Sequence, residues 1–309
     1  MDNIEKYGII CPMPEWGQVL AHGFTIQNNT DFTMSKVDIL SCSSFGMYIG
    51  SNEGVLNFND VDFVAKEGTN FTSWRDAFHV KDNRAAINWT DCEATFNYDD
   101  VFNISATALY VQDYNQQSLE LTLVCKEKGG LYYPILAGDT LNVIDTATGN
   151  NCGTVTVKSV VKHADGVNVV VIDKALENFG ATGETTLAYF TNRCAPNSTI
   201  TNCNFSGTFR FRGPITISNT KFYNMRTWIT RESDVEGPVP QNITFKNCVI
   251  ESDDEATIEI SSGNDINSTS TGYHVNNIRF ENCTLNTEQL KIDANDANYV
   301  KLVDCTDNK

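Results

Sequence analysis

The stretch "ITFKNCVI", residues 243–250, contains the pattern that decides the fold. Apolar and polar residues alternate over its first half, which is typical of a short strand with one buried face. We expect a tight turn at Asn247, because Asn tolerates the left-handed backbone conformation and can bond to its own backbone. Cys248 then supplies a small apolar residue, and a second short strand begins at Val249.

The same order of strand, Asn or Asp, small residue and second strand recurs along most of the chain. The turn positions 202, 219, 247, 282 and 304 are separated by 17, 28, 35 and 22 residues, which scatter around the length of one coil of a parallel β-helix. One coil cannot bury its apolar face alone, so the coils must stack, and stacked Asn side chains can then bond to one another. The pattern favours an all-β chain and a parallel β-helix, with an antiparallel sandwich as the alternative. The segments that carry it are "VDILSCS" (37–43), "LNFNDVDF" (56–63), "INWTDCEA" (87–94), "ITNCNF" (200–205), "ITISNTKF" (215–222), "ITFKNCVI" (243–250), "IRFENCTL" (278–285) and "VKLVDC" (300–305).

The repeat is interrupted between about residues 112 and 192. This segment holds hairpin-like strands joined by Gly, Asn and Asp turns. We therefore predict a small antiparallel barrel or sandwich inserted between two coils. The predicted organisation is residues 1–111 as β-helix, residues 112–192 as the insert and residues 193–309 as the continuing β-helix.

The composition narrows the class of partner. The 309 residues are 41% hydrophobic and 20% charged, and the formal net charge is −17. That charge argues against nucleic acid and against a polyanion held by broad electrostatics, and it favours a neutral ligand. No apolar run approaches the roughly 18 residues of a membrane span, so we predict none. The first ten residues, "MDNIEKYGII", do not resemble a signal peptide, so we expect a cytosolic protein or a sequence that lacks its natural beginning.

The ten cysteines do not have the spacing of a metal site. There is no Cys-x-x-Cys pair, and the chain has four histidines. We predict buried free thiols that act as small apolar residues, with one or two disulfides as the alternative. No metal and no cofactor is predicted.

Two short segments place carboxylates one above the other. "DAFH" (76–79) and "DVFN" (100–103) are offset by 24 residues, about one coil. If they occupy equivalent strands, Asp76 lies beside Asp100, and His79 lies beside Asn103. Neighbouring strands are roughly 4.8 Å apart, so two carboxylates would be close neighbours across the sheet.

Asp99 adds a third carboxylate beside this pair. Successive side chains of a strand point to opposite faces, so we predict a kink just before Val101 that turns Asp99 toward the same groove. When three carboxyl groups lie close together, their repulsion raises the pKa of one and leaves another ionised. The first can then act as a general acid and the second as a general base. The alternatives are solvated surface acids and a calcium site.

The segment 74–111 resembles the core motif of the α-1,3-galactosidases of glycoside hydrolase family 110. The shared features are an Asp-Ala-x-His segment, an acidic pair and a following Asn, which correspond here to Asp76, Asp99 and Asp100 with their neighbours. "SCSSFGMYIG" (41–50), "GTFRFRG" (207–213) and "EGPVPQNITFKNC" (236–248) are similar to three further family segments. The family pattern continues Asn-Val-His-Gly, whereas this chain has Asn-Ile-Ser-Ala, so the chain resembles a shortened or divergent member.

The resemblance implies a right-handed parallel β-helix of the pectin-lyase-like type with a small inserted β-barrel. It also implies an inverting exo-α-galactosidase, extracellular or periplasmic, that removes terminal α-1,3-linked galactose from glycans. An inverting enzyme needs two carboxyl groups roughly 6.5–9.5 Å apart, and we expect Asp99 to supply the longer separation. Other polysaccharide lyases or endo-hydrolases, and a catalytically inactive glycan-binding β-helix, remain alternatives. The expected catalytic residues are Asp76, Asp99 and Asp100, and the expected substrate-binding residues are His79, Asn103, Arg210, Arg212, Glu236 and Trp74.

Overall fold

The computed structural model describes residues 22–69, 71–95, 97–125, 133–164, 166–180, 182–230, 236–251, 258–262 and 274–307. These residues form an all-β protein with 26 strands and two short 3₁₀ helices. The first thirteen strands are β1 (Phe24–Gln27), β2 (Asp31–Ile39), β3 (Met47–Gly50), β4 (Val55–Phe63), β5 (Phe78–Lys81), β6 (Ala86–Thr90), β7 (Glu93–Ala94), β8 (Asp100–Asn115), β9 (Glu120–Cys125), β10 (Thr140–Asp145), β11 (Asn150–Ala164), β12 (Val167–Ile172) and β13 (Gly183–Phe190). The others are β14 (Ser198–Thr201), β15 (Asn204–Phe211), β16 (Ile215–Ser218), β17 (Lys221–Thr230), β18 (Glu236–Gly237), β19 (Gln241–Lys246), β20 (Val249–Glu251), β21 (Ile258–Ser261), β22 (Asn276–Glu281), β23 (Thr284–Leu285), β24 (Leu290–Ile292), β25 (Val300–Val303) and β26 (Thr306–Asp307), with the 3₁₀ helices η1 (Thr287–Gln289) and η2 (Ala297–Tyr299).

Most of the strands pair in three parallel ladders. The first, here called the site ladder, runs through β1, β3, β5, the start of β8, the ends of β15 and β17, β21 and β24. The second runs through the start of β2, β4, β6, β14, β16, β19, β22 and β25. The third runs through the ends of β2 and β4, β7, the starts of β15 and β17, β20, β23 and β26. In-register parallel pairing of this kind excludes the antiparallel sandwich for these strands.

The turn from the second ladder to the third is made by a residue with positive φ. All five predicted turn positions adopt this conformation, with φ of 58° at Asn202, 51° at Asn219, 53° at Asn247, 52° at Asn282 and 51° at Asp304. The stacked amides also bond to one another, because Asn247 Nδ2 donates to Asn219 Oδ1 at 3.2 Å and Asn282 Nδ2 donates to Asn247 Oδ1 at 3.4 Å. The predicted turn chemistry is therefore confirmed.

The apolar core between the ladders is built from stacked aromatic rings. Phe78 and Phe102 occupy paired positions of β5 and β8, with ring centroids 4.8 Å apart and planes 13° from parallel. Trp89 meets both rings edge-on and is fully buried. The thiols that follow the Asn and Asp turns line the same core: Cys92, Cys203, Cys248 and Cys283 are buried, and each cysteine in the described part of the chain is free. Free thiols are thus confirmed there.

The inserted segment closes into a six-stranded antiparallel barrel. Its strands pair in the order β8, β9, β12, β11, β10 and β13, and β13 returns to β8. Strand β8 belongs to both parts, since Phe102 to Ser105 pair in the site ladder and Ala108 to Val111 pair with β13. The insert is therefore a barrel and not a sandwich. Its first strand is the continuation of the strand that carries Asp100.

A buried ion pair joins the barrel to the ladders. Asp139, just before β10, accepts hydrogen bonds from Arg84, just before β6, at 3.0 Å. It also binds Arg193, which follows β13 and is fully buried. Within the described residues, no helix has the length and apolarity needed to cross a membrane.

Candidate active site

Three carboxylates converge at the start of β8. One oxygen from each of Asp76, Asp99 and Asp100 lies within 4.8 Å of an oxygen from both others. Asp76 and Asp100 are buried, whereas the Asp99 side chain is 41% exposed. The offset of 24 residues predicts the register correctly, because β5 and β8 pair Phe78 with Phe102 and His79 with Asn103.

A local irregularity turns Asp99 toward its partners. Residues 98 and 99 form a bend immediately before β8. The pairing of β15 with β8 then passes from Asp100 to Phe102 and skips Val101. The predicted kink before Val101 is confirmed. The expectation that Asp99 supplies a separation of roughly 6.5–9.5 Å is wrong for the nearest oxygens, because the same bend brings this carboxylate too close.

The two buried aspartates favour their protonated forms. Burial raises the pKa of Asp76 well above its usual range, and the negative charges of Asp99 and Glu236 add to the shift. Burial, followed by the charge of Asp76, raises the pKa of Asp100 to about 9, although Arg210 acts in the opposite direction. Because the carboxyls interact, their protons leave in steps that belong to the cluster as a whole.

His79 holds Asp76 in place. Its Nδ1 lies 2.7 Å from Asp76 Oδ2. Burial lowers the pKa of His79 to about 4, so the imidazole is neutral at ordinary pH. A neutral imidazole beside a protonated carboxyl group makes this hydrogen-bonded pair uncharged.

Glu236 is a fourth carboxyl group, and its pKa is shifted in the opposite direction. It lies on β18, which pairs antiparallel with β8 at Thr107 and Ala106. Its oxygens lie 3.3 Å from Lys81 Nζ and 3.5 Å from Arg212 Nη1. Burial acts to raise the pKa of Glu236, but Lys81 and Arg212 hold it well below its usual range. Glu236 is therefore ionised at any ordinary pH.

Asn103 connects this carboxylate to the rest of the site. Its Nδ2 lies 3.4 Å from Glu236 Oε2, and its Oδ1 accepts a hydrogen bond from Arg212 Nη1 at 3.2 Å. Arg212 is almost fully buried, so its charge is stabilised by groups inside the protein and not by solvent. Asn103 and Arg212 together fix the orientation of the Glu236 carboxylate.

Two further arginines contact the aspartates. Arg210 Nε lies 2.7 Å from Asp100 Oδ2, and Arg210 pairs with Asn103 in the site ladder. Arg75 Nε lies 3.9 Å from Asp99 Oδ2, and its guanidinium also stacks over Phe45 at 4.5 Å. The sequence reading proposed Arg210 and missed Arg75.

An aromatic wall borders the acids on the β3 side. Phe45 stacks on His79 with ring centroids 4.2 Å apart, and Tyr48 stacks on His79 at 5.5 Å. Neither residue was proposed from the sequence. An alignment of "FGMY" (45–48) with "DAFH" (76–79) was the signal that could have found them, because β3 pairs with β5 at Tyr48 and His79.

Trp74 lies close to the bend that precedes β8. Its ring centroid is 4.9 Å from that of Tyr98, the residue before Asp99. The nine proposed residues thus lie along the site ladder, from Trp74 and Asp76 just before β5 to Glu236 beside Lys81 at the end of β5. The structure adds Arg75, Lys81, Phe45, Tyr48 and Tyr98 to them.

Comparisons with known proteins give little guidance. No family model matches the chain, and no curated protein matches it. Among solved structures, the tailspike protein gp49 from Pseudomonas phage LKA1 is similar at 13% identity and a TM-score of 0.23, with 91% of this chain covered. The match covers 49% of that chain, so the present chain spans about half of the tailspike's length.

Proposed function

We propose that the chain is a glycoside hydrolase of the exo-α-galactosidase type. The observation that carries the proposal is that the carboxyl groups of the site have pKa values shifted in opposite directions. The pKa values of Asp76 and Asp100 are raised, and the pKa of Glu236 is lowered. A pair of carboxyl groups whose pKa values are pushed apart is the usual arrangement of a general acid and a general base.

The proposed acid is Asp100, with Asp76 sharing its proton, and the proposed base is Glu236. Asn103, which contacts Glu236, stands three residues beyond Asp100 in β8, and three residues of strand span roughly 10 Å. We therefore propose that the carboxyl groups of Asp100 and Glu236 are far enough apart to hold a sugar and a water, as an inverting mechanism requires. In this assignment the charge of Asp99 helps to raise the pKa of Asp100. Arg75 contacts Asp99 at the solvent-exposed edge of the acidic cluster.

The proposed mechanism has one chemical step. The protonated aspartate gives its proton to the glycosidic oxygen as the bond from that oxygen to the anomeric carbon breaks. Glu236 takes a proton from a water that attacks the opposite face of the anomeric carbon. The products are the free sugar with inverted configuration and the leaving alcohol.

A neutral, terminal sugar is the substrate that best suits this site. Lys81 and Arg212 both contact Glu236, and Arg210 contacts Asp100, so each of these cations is already held by a carboxyl group of the site. The net charge of −17 also disfavours a polyanion. The preference for α-1,3-linked galactose rests on the resemblance of the segment 74–111 to glycoside hydrolase family 110.

We also infer that the three parallel ladders are the faces of a right-handed parallel β-helix, interrupted by the barrel. Support comes from the regular alternation of the chain among the ladders and from the near-universal right hand of parallel crossover connections. An experimental structure with left-handed crossovers would contradict this inference.

The test is hydrolysis of α-galactosides by the wild type and by matched variants. We expect the wild type to release galactose from an α-1,3-linked disaccharide. Asp100→Asn and Glu236→Gln should each lower kcat by about 100-fold to 10,000-fold, the range that general acid–base groups supply. Asp113→Asn, at an exposed barrel position, is the control and should leave kcat unchanged.

Two outcomes would overturn the proposal separately. A wild type that hydrolyses no α-galactoside contradicts the activity. Equal rates in the wild type, Asp100→Asn and Glu236→Gln contradict the site. The stereochemistry is read by proton NMR of the first sugar released: β-galactose supports inversion, and α-galactose contradicts the assignment of Glu236 as base.

A cation-dependent polysaccharide lyase is the second candidate. The observation that favours it is the approach of three carboxylate oxygens to within 4.8 Å, with Arg210 beside Asp100. Its signature would be an unsaturated, ultraviolet-absorbing product from polygalacturonate that is lost on addition of a chelator. Hydrolysis of α-galactoside that persists in the chelator would exclude this alternative.

A further inference from the structure

We infer that Phe71, Trp74 and Tyr98 form a binding platform for the leaving-group side of the glycan, the sugar that remains after the terminal residue is removed. This inference rests on the proposed function, because it needs a terminal sugar bound at the acids. It assigns a role to aromatic side chains that the hydrolytic step does not use.

The three rings contact one another in a cluster, with interplanar angles of 40°, 53° and 58°. The centroids of Trp74 and Tyr98 are 4.9 Å apart, those of Phe71 and Tyr98 are 5.5 Å apart, and those of Phe71 and Trp74 are 6.0 Å apart. Tyr98 is 46% exposed, and Phe71 and Trp74 are partly exposed. Large aromatic side chains left in water next to a catalytic cluster are candidates for ligand contact.

The backbone places this platform at the mouth of the site. Tyr98 and Asp99 are consecutive residues of the bend before β8. The exposed fraction rises from 3% for the Asp100 side chain and 4% for that of Asp76 to 41% for that of Asp99. The most exposed of the three acids therefore borders Tyr98, and we place the path of the rest of the glycan past Asp99 and across Tyr98.

The chemistry of the platform suits a neutral sugar ring. An aromatic face contacts the C–H groups of a sugar, and the Tyr98 hydroxyl can bond to a ring hydroxyl. The inner aromatic wall is different, because its rings stack on His79, and Phe45 is only 8% exposed. The wall therefore positions His79, whereas the platform is open to ligand.

The test compares two substrates that differ only on the leaving-group side. An α-1,3-linked galactose disaccharide carries a second sugar that can reach the platform, whereas α-galactosyl fluoride carries a single fluorine. We expect Tyr98→Ala to lower kcat/KM for the disaccharide about 10-fold, mainly through KM, and to leave kcat/KM for the fluoride within about 2-fold of wild type.

Two variants sharpen the test. Tyr98→Phe keeps the ring and should restore most of the activity on the disaccharide. Tyr299→Ala removes another exposed tyrosine, one that stacks on His274, and should change neither substrate.

The outcomes separate this inference from the proposed function. If the wild type hydrolyses neither substrate, the proposed function has failed and the platform fails with it. If the wild type hydrolyses both and Tyr98→Ala lowers both equally, or lowers neither, the function stands and the platform is refuted.

Discussion

At the scale of single residues, Asp100 and His79 set opposite limits on the pH at which the site is competent. The pKa of Asp100 is raised to about 9, so the proposed acid keeps its proton below that pH and loses it above. The pKa of His79 is lowered to about 4, so the imidazole becomes charged only below that pH. We expect kcat/KM to be level between about pH 4 and about pH 9 and to fall on both sides, as measured in a pH–rate profile.

Arg210 provides the control for this profile. Its positive charge lowers the pKa of Asp100, so Arg210→Met removes an opposing influence and should move the basic limb to higher pH. The acidic limb should move less, because the pKa of His79 is set chiefly by burial and by the charges of Glu236, Lys81, Arg75 and Asp99. A basic limb that does not move in Arg210→Met would contradict the assignment of that limb to Asp100.

The sequence predicts these acids better than it predicts their surroundings. Asp76 and Asp100 could be matched because in-register pairing preserves one offset along both strands. Arg75 could not be assigned, because its contacts with Asp99 and Phe45 depend on how the chain bends before β5. Glu236 came from a family resemblance alone, since its antiparallel pairing with β8 joins residues 129 positions apart at Glu236 and Thr107.

At the scale of elements, the stacked asparagine turns are a stabilising feature that can be measured. Asn247 has φ of 53° and exchanges side-chain hydrogen bonds with Asn219 and Asn282. Asn247→Ala places a side chain that disfavours positive φ there and removes both bonds, so we expect a loss of about 1–3 kcal/mol in the free energy of unfolding. Urea denaturation followed by circular dichroism measures it.

Asn247→Gly separates the two contributions. Glycine adopts positive φ without strain but makes no side-chain hydrogen bond. We expect Asn247→Gly to lose less stability than Asn247→Ala. The difference measures the free-energy cost of the positive φ for alanine. Equal losses in the two variants would mean that the left-handed conformation contributes nothing.

These turns explain why so much of the ladder architecture could be predicted. Each depends on one residue type in one local conformation, and the flanking strands alternate visibly. The closure of the barrel depends instead on β13 returning to β8 over more than seventy residues. The same hairpins are compatible with a barrel and with a sandwich, so the sequence could not decide between the two.

At the scale of the whole molecule, Asp139 connects the barrel to the ladders. It binds Arg84, beside the second ladder, and Arg193, which leaves the barrel and is fully buried. Neither partner is adjacent to it in sequence, and no repeat marks the three positions. This contact forms only when the barrel and the ladders are both folded, so a local sequence pattern could not predict it.

The last prediction concerns this connection. Asp139→Asn leaves the buried Arg193 without its carboxylate, so we expect a loss of about 3–5 kcal/mol in the free energy of unfolding. Asp113→Asn, an exposed barrel position, should change it by no more than about 0.5 kcal/mol. Burial acts to raise the pKa of Asp139, but Arg193 lowers it below its usual range. Its stabilisation is therefore complete above the ordinary Asp pKa and fades as pH falls through the lower folded value, so wild type and Asp139→Asn should converge in acid. A difference that stays constant from neutral pH into acid would show that Asp139 acts through packing and not through its charge.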